Sequence, residues 1–278
     1  MTYKTILVHI DHNARANERI RIAIELAKQN EAHLIGLAVS ASLVTPYLGA
    51  MDPMGGYAAG LIETHERLAR VAASDFEAQA LAAGLHSYES RVDGSDAVTA
   101  VRRQARYTDL VIVGQTDKST VSISSPSNLP QATVLEAGKP VLIIPYVGVY
   151  TALAQNIFVL WNASREAARA AGDALPFLKL AKNVRVSVFD AKSGTPTSEQ
   201  VPGSEAAHYL ARHGVNVTIT RDSSDGDVGS AVLSRVADHH ADLIVMGGYG
   251  HSRFREWVLG GVSQSILEHM TVPVLMSH

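Results

Sequence analysis

The residues best placed to do chemistry form a glycine cluster near the end of the chain. Gly247-Gly-Tyr-Gly250 is followed, after nine residues, by Gly260-Gly-Val-Ser263. The first group follows an apolar run that ends at Met246, and the second opens a short helical stretch over Val262 to His269. Glycine lets the backbone come close to a ligand and adopt positive φ. A helix N-terminus adds unpaired N–H donors and the positive end of the dipole. Together these features describe a cradle for phosphate. The same glycines could simply turn the chain after a strand, and the residues alone leave both readings open. His251, Arg253 and Arg255 follow Gly250 and could offset phosphate charge, or could be solvated on a surface turn.

Other constellations carry less. Gly138-Lys-Pro140 lacks the Ser/Thr and the upstream glycine of a Walker A loop. No Gly-x-Gly-x-x-Gly follows the first strand of either half, and no Gly-x-Ser-x-Gly elbow is present. His239-His240 point about 100° apart on a helix, and His208 and His213 are off-face, so they read as solvated or capping groups and not as metal ligands. Asp225-Gly-Asp227 lacks the closing glutamate of a calcium loop and reads as a turn.

The elements that must position the glycine cluster come in two copies. Thr5-Ile-Leu-Val-His-Ile-Asp11 has the same shape as Asn156-Ile-Phe-Val-Leu-Trp-Asn162, an apolar run closed by a short polar residue. Thr108-Asp-Leu-Val-Ile-Val-Gly114 matches Ala241-Asp-Leu-Ile-Val-Met-Gly247, and Lys139-Pro-Val-Leu-Ile-Ile144 matches Val272-Pro-Val-Leu-Met-Ser277. Gly114 and Gly247 stand 133 positions apart, as do Pro140 and Pro273, so the ends of the halves align without gaps. By that alignment Gly250 faces Asp117, Gly260 faces Ser127, Gly261 faces Asn128 and Ser263 faces Pro130. A carboxylate in the cradle repels phosphate and a proline removes a donor. The first half is therefore expected to keep the fold and Asp11 without holding a triphosphate.

Short aliphatic runs such as Ile6 to Ile10 and Leu34 to Val39 suit strands buried on both faces. Between them, Ile20, Ile24 and Ala27 recur at helical spacing. Further helices are expected over Leu61 to Ala83, stopped by Gly84, and near Asp96 to Tyr107, Arg165 to Leu180, Ser204 to His213 and Val228 to His240. The alternation predicts an α/β fold with a doubly wound parallel sheet in each half. Two long connections, Ala41 to Gly60 and Ala191 to Gly203, read as lids or mobile loops, the first with apolar side chains worth ordering. The boundary falls near Gly148 to Gln155, which gives domains of 1–147 and 152–278.

Composition narrows the function classes. The 278 residues include no Cys, which excludes disulfide scaffolds, thiolate metal sites and cysteine nucleophiles. With 24 Lys+Arg against 27 Asp+Glu, interspersed, no polycationic face is available for nucleic acid or anionic lipid. No apolar stretch reaches about 18 residues, and the first apolar run is too short for a signal segment. The expectation is a cytoplasmic protein with neither nucleic-acid nor membrane partners.

Halves that open like Ile6-Leu-Val-His-Ile-Asp11, with Asp-Leu-Ile-Val-Met-Gly-Gly-Tyr-Gly-His-Ser at 242–252 and Pro-Val-Leu at 273–275, resemble the universal stress protein family, here as a tandem member. The resemblance implies two five-stranded parallel sheets of the adenine nucleotide alpha-hydrolase-like type, paired through their last strands as an intrachain pseudo-dimer. The family's nucleotide-binding branch carries Gly-x-x-Gly, nine residues, then Gly-Ser/Thr, and Gly247, Gly250 and Gly260 match. The Ser/Thr is Gly261 here, with Ser263 two positions on, and the family's nucleoside-binding acid is Asn162 in the second half. By position the family's second-strand adenine contact falls on Val188, and Met246, Val262 and His251 flank the glycines. The resemblance thus implies ATP or AMP in the second half, with or without magnesium, and a role in stress regulation through unidentified protein partners. Further homodimerisation is left open. A ligand-free interaction module and a slow ATP hydrolase remain as alternatives, although no general base stands near the glycines.

Overall fold

The computed structural model describes residues 2–12, 15–40, 56–117, 126–150, 152–190, 203–224, 226–249 and 261–278. The chain divides into two compact units, Thr2–Val141 and Leu142–His278. The first contains β1 (Thr5–Ile10), α1 (Ala16–Asn30), β2 (His33–Val39), α2 (Gly56–Ala82), β3 (Tyr88–Asp93), α3 (Ala97–Ala105), β4 (Leu110–Gly114) and α4 (Leu129–Glu136). The strand β5 (Val141–Ile144) closes the first repeat, and the division between the units falls within it. The second repeat contains β6 (Asn156–Leu160), α5 (Arg165–Asp173), α6 (Leu175–Leu178), β7 (Asn183–Asp190), α7 (Ser204–Arg212), β8 (Val217–Ser223), α8 (Val228–Asp238), β9 (Leu243–Gly247), α9 (Gly261–His269) and β10 (Val274–Ser277).

Each repeat places its first strand beside its second and fourth. In the first repeat the order runs β3-β2-β1-β4, and in the second β8-β7-β6-β9-β10. All these pairings are parallel, with Ile6 opposite Leu34 and Leu110, and Ile157 opposite Val184 and Leu243. Parallel strands need helical crossovers, and the helices cover both faces of the sheet. That is why β1, β2 and β4 are buried almost end to end. The chain winds outward from β6 in one direction to β7 and in the other to β9, so a crevice opens at the C-terminal ends of β6 and β9.

Local chemistry sets the helix ends. Asp96, Ser164 and Asp227 cap α3, α5 and α8 by accepting from backbone N–H groups of the first turn. Gly84 and Gly214 stop α2 and α7 at φ 69° and 83°. In both cases the following residue donates back to a carbonyl five positions earlier, Leu85 to Ala80 and Val215 to Leu210, a closure that favours glycine. The stripe on α2 buries Ala72, Phe76 and Ala80. Phe76 fits because its partner position on β2 is Gly36, where an added Cβ would come within 2.7 Å of the ring.

Two expectations need correction. The helix expected over Arg165 to Leu180 is two helices, α5 and α6, with a break at Ala174. Pro176 has no N–H to extend the first helix and sits instead in the opening turn of the second. The connection expected to run to Gly60 ends sooner, since α2 begins at Gly56. Residues 41–55 and 191–202 lie outside the described residues.

Candidate functional site

In the second repeat the ends of β6, β7 and β9 meet the first turns of α8 and α9 around a cavity of about 270 Å³. Leu160, Trp161 and Asn162 contribute from the end of β6, Ser187 and Phe189 from β7, and Met246, Gly247 and Tyr249 from the end of β9. Val228 and Val232 line it from α8, and Gly261, Val262 and Ser263 from the first turn of α9. The first N–H groups of a helix have no intrahelical acceptor, so that turn brings donors to the cavity. Its walls are aromatic and aliphatic, and no Lys or Arg lines it among the described residues.

Six of the residues singled out in the sequence therefore converge: Asn162, Met246, Gly247, Gly261, Val262 and Ser263. Gly250, His251 and Gly260 lie outside the described residues. Val188 does not line the cavity. Successive side chains of a strand point to opposite faces, and Val188 packs with Val186 toward Gly203, while Ser187 and Phe189 face the cavity in its place. A period-two reading of β7 would have found that pair. Trp161 and Tyr249 sit beside residues already singled out, whereas Val228 and Val232 carry no signal in the sequence.

The polar groups of the wall divide into engaged and unengaged ones. The fully buried Ser187 donates its hydroxyl to Asp222 Oδ2 at 2.6 Å, and Arg235 Nε pairs with Asp222 Oδ1 at 3.0 Å. Asn162 Oδ1 accepts from the Ser164 N–H at 3.1 Å, a local turn that leads into the α5 cap. Burial raises the pKa of the Tyr249 phenol well above its ordinary value and keeps it protonated. Gly247 has a reason of its own to be glycine. An added Cβ would lie 2.5 Å from the Ala167 N and 2.6 Å from the Glu166 carbonyl carbon, so α5 packs directly on this backbone. Gly261 is different, since a Cβ there meets nothing within 4 Å.

Alongside the cavity, Asp227 caps α8 and also accepts from Ser265 of α9 at 3.2 Å. His239 and His213 stand at the C-cap positions of α8 and α7, and their rings meet Phe158 and Tyr209.

The corresponding place in the first repeat is built otherwise. Arg19, from α1, pairs with Asp11 at 3.0 Å and donates to the His9 carbonyl at 2.7 Å. Its guanidinium lies against Gly114, where any Cβ would strike it. Both Arg19 and Asp11 are buried. A cation thus spans the ends of β1 and β4, and Pro130 stands in the opening turn of α4.

The same duplicated design is found in known proteins. The model of the universal stress protein family matches the chain twice, over residues 2–145 and 155–278. The chain belongs to the universal stress protein family. Among solved structures, a universal stress protein from Archaeoglobus fulgidus DSM 4304 is 17% identical, with a TM-score of 0.69, covering 98% of this chain and 97% of its own. A putative universal stress protein from Pseudomonas aeruginosa UCBPP-PA14 is 16% identical, with a TM-score of 0.62, covering 99% and 93% respectively. At these identities the likeness is one of fold, and it extends over both repeats. No curated protein matches this universal stress protein significantly in sequence. No helix among its described residues is long and apolar enough to cross a membrane.

Proposed function

We propose that this universal stress protein binds an adenine nucleotide, ATP or AMP, in its second repeat and acts in the cytoplasm as a regulatory or sensor module for protein partners. The functional units are residues 1–147 and 152–278. One observation carries the reading: the cavity at the strand-order reversal of the second repeat is lined by Gly247 and by the first turn of α9, the two described flanks of the sequence motif Gly247-x-x-Gly250-x9-Gly260. A nucleoside fits the walls, since Trp161, Phe189 and Tyr249 offer flat apolar surface and Asn162 an amide. Phosphates fit the backbone donors of Gly261 to Ser263. Among the described residues no three His, Asp or Glu side chains gather, so magnesium would enter with the phosphates it neutralises.

Calorimetric titration with magnesium-ATP and with AMP tests the reading, on the wild type and on Gly250→Asp, which copies Asp117 of the first repeat. The expected result is one site, lost in the variant. Absence of binding by the wild type would overturn the reading in favour of a ligand-free interaction module. The packing of Gly247 on α5 is the observation that favours this second view, because it gives one motif glycine a purpose without any ligand.

A further inference from the structure

Two polar atoms in the wall of the second repeat's cavity are left over by the fold. The Trp161 indole Nε1 and the Tyr249 hydroxyl are buried, and neither has a hydrogen-bond partner among the described residues. Both residues line the cavity. Native folds leave few buried donors unpaired, because each forfeits its bond to water and gains nothing in return. An indole N–H can only donate, so no rearrangement turns it into an acceptor. Tyr249 also holds a left-handed backbone at φ 58°, which a bulky residue adopts only where its surroundings enforce it. Of the neighbouring polar groups, the Ser187 hydroxyl donates to Asp222 and the Asn162 carbonyl accepts from the Ser164 N–H, and neither bonds the indole or the phenol.

We infer that Trp161 and Tyr249 are specificity-determining donors: their N–H and O–H meet acceptor atoms of the bound ligand, and the site takes a flat nucleoside rich in such acceptors. The inference deepens the nucleotide reading and rests on it. The acceptors have two sources, the ring nitrogens and ribose oxygens of the nucleoside, or the oxygens of its phosphates. In either case the donors remain unpaired until the ligand arrives, and this is what gives the ligand-free protein and the complex opposite responses to their removal.

The test is calorimetry of Trp161→Phe and Tyr249→Phe with adenosine, AMP and ATP, together with thermal unfolding of the ligand-free proteins. Each variant is expected to lose about three- to tenfold in affinity, the worth of one net hydrogen bond. Ligand-free Tyr249→Phe is expected to be at least as stable as the wild type, because the variant removes a buried hydroxyl with no partner. A loss already present with adenosine places the acceptors on the nucleoside, and one that appears only with AMP and ATP places them on phosphate. If both variants bind every ligand as tightly as the wild type, this inference falls and the nucleotide reading stands. If ligand-free Tyr249→Phe is clearly destabilised, the hydroxyl has a protein partner and the inference falls on that ground. A wild type that binds none of the three overturns the nucleotide reading and this inference with it.

Discussion

Gly247 and Gly261 belong to one sequence motif but answer to different constraints. At Gly247 a methyl group would collide with the backbone of α5, which cannot yield as a flexible side chain would. Gly247→Ala should therefore destabilise the ligand-free protein by about 1–3 kcal/mol, seen as a lower midpoint in urea unfolding. Gly261 has open space around it, and Gly261→Ser restores the hydroxyl that the family motif carries at this place. That variant should stay within about 0.5 kcal/mol of the wild type in stability and bind ATP about three- to tenfold more tightly. Calorimetry that finds weaker binding would remove the phosphates from α9. Spacing made both glycines legible in the sequence. It could not separate them, because a contact with α5 some 80 positions away leaves no mark on the local pattern.

At the scale of elements, the repeated Asp at the start of β4 and β9 does mechanical work. Asp109 accepts from the N–H groups of Lys4 and Thr5, and Asp242 from those of Gln155 and Asn156, tying the fourth strand of each repeat to the start of the first. Asp242 is the more buried of the two, and burial raises its carboxyl pKa despite these bonds. Removing the acceptor leaves two backbone donors unsatisfied. Asp242→Ala should cost about 1–3 kcal/mol in denaturant unfolding, and the exposed Asp109→Ala should cost less. The α8 cap makes a pH-dependent contribution. Hydrogen bonds from the Ser230 hydroxyl and N–H, and from Gly229, hold the Asp227 carboxyl below the usual carboxylate range, against a smaller opposing effect of burial. A folded value below the unfolded one, about 3.9, means that this stabilisation is complete above pH 4 and lost as pH falls through the folded value. Thermal melts of the wild type and Asp227→Ala should differ above pH 4 and converge in stronger acid. Asp227 could be read from the sequence as a turn residue, but its link to α9 through Ser265 could not.

For the whole molecule, the two repeats share a topology and differ at the crevice. In the second repeat the strand ends open onto a cavity, while in the first the Arg19 guanidinium spans them and neutralises Asp11. The nucleotide reading therefore predicts one nucleotide per chain, and native mass spectrometry that finds two would overturn the assignment of the site to the second repeat alone. Arg19→Ala should cost about 3–5 kcal/mol, because it strands a buried carboxylate at the end of β1.

The sequence by itself determined the duplication, the strand and helix alternation, the parallel sheets and the glycine spacing. All of these are written in local periods of two and 3.6 residues and in exact offsets between halves. Tertiary structure decided which side chains converge. It turned Val188 away and brought Ser187 and Phe189 in, because one step along a strand reverses the face. It also set Arg19 across the first crevice, and left Trp161 and Tyr249 without a partner among the described residues of the second. Where Arg19 lands and which donors stay unpaired depend on contacts between residues far apart in the chain, and local sequence patterns do not encode them.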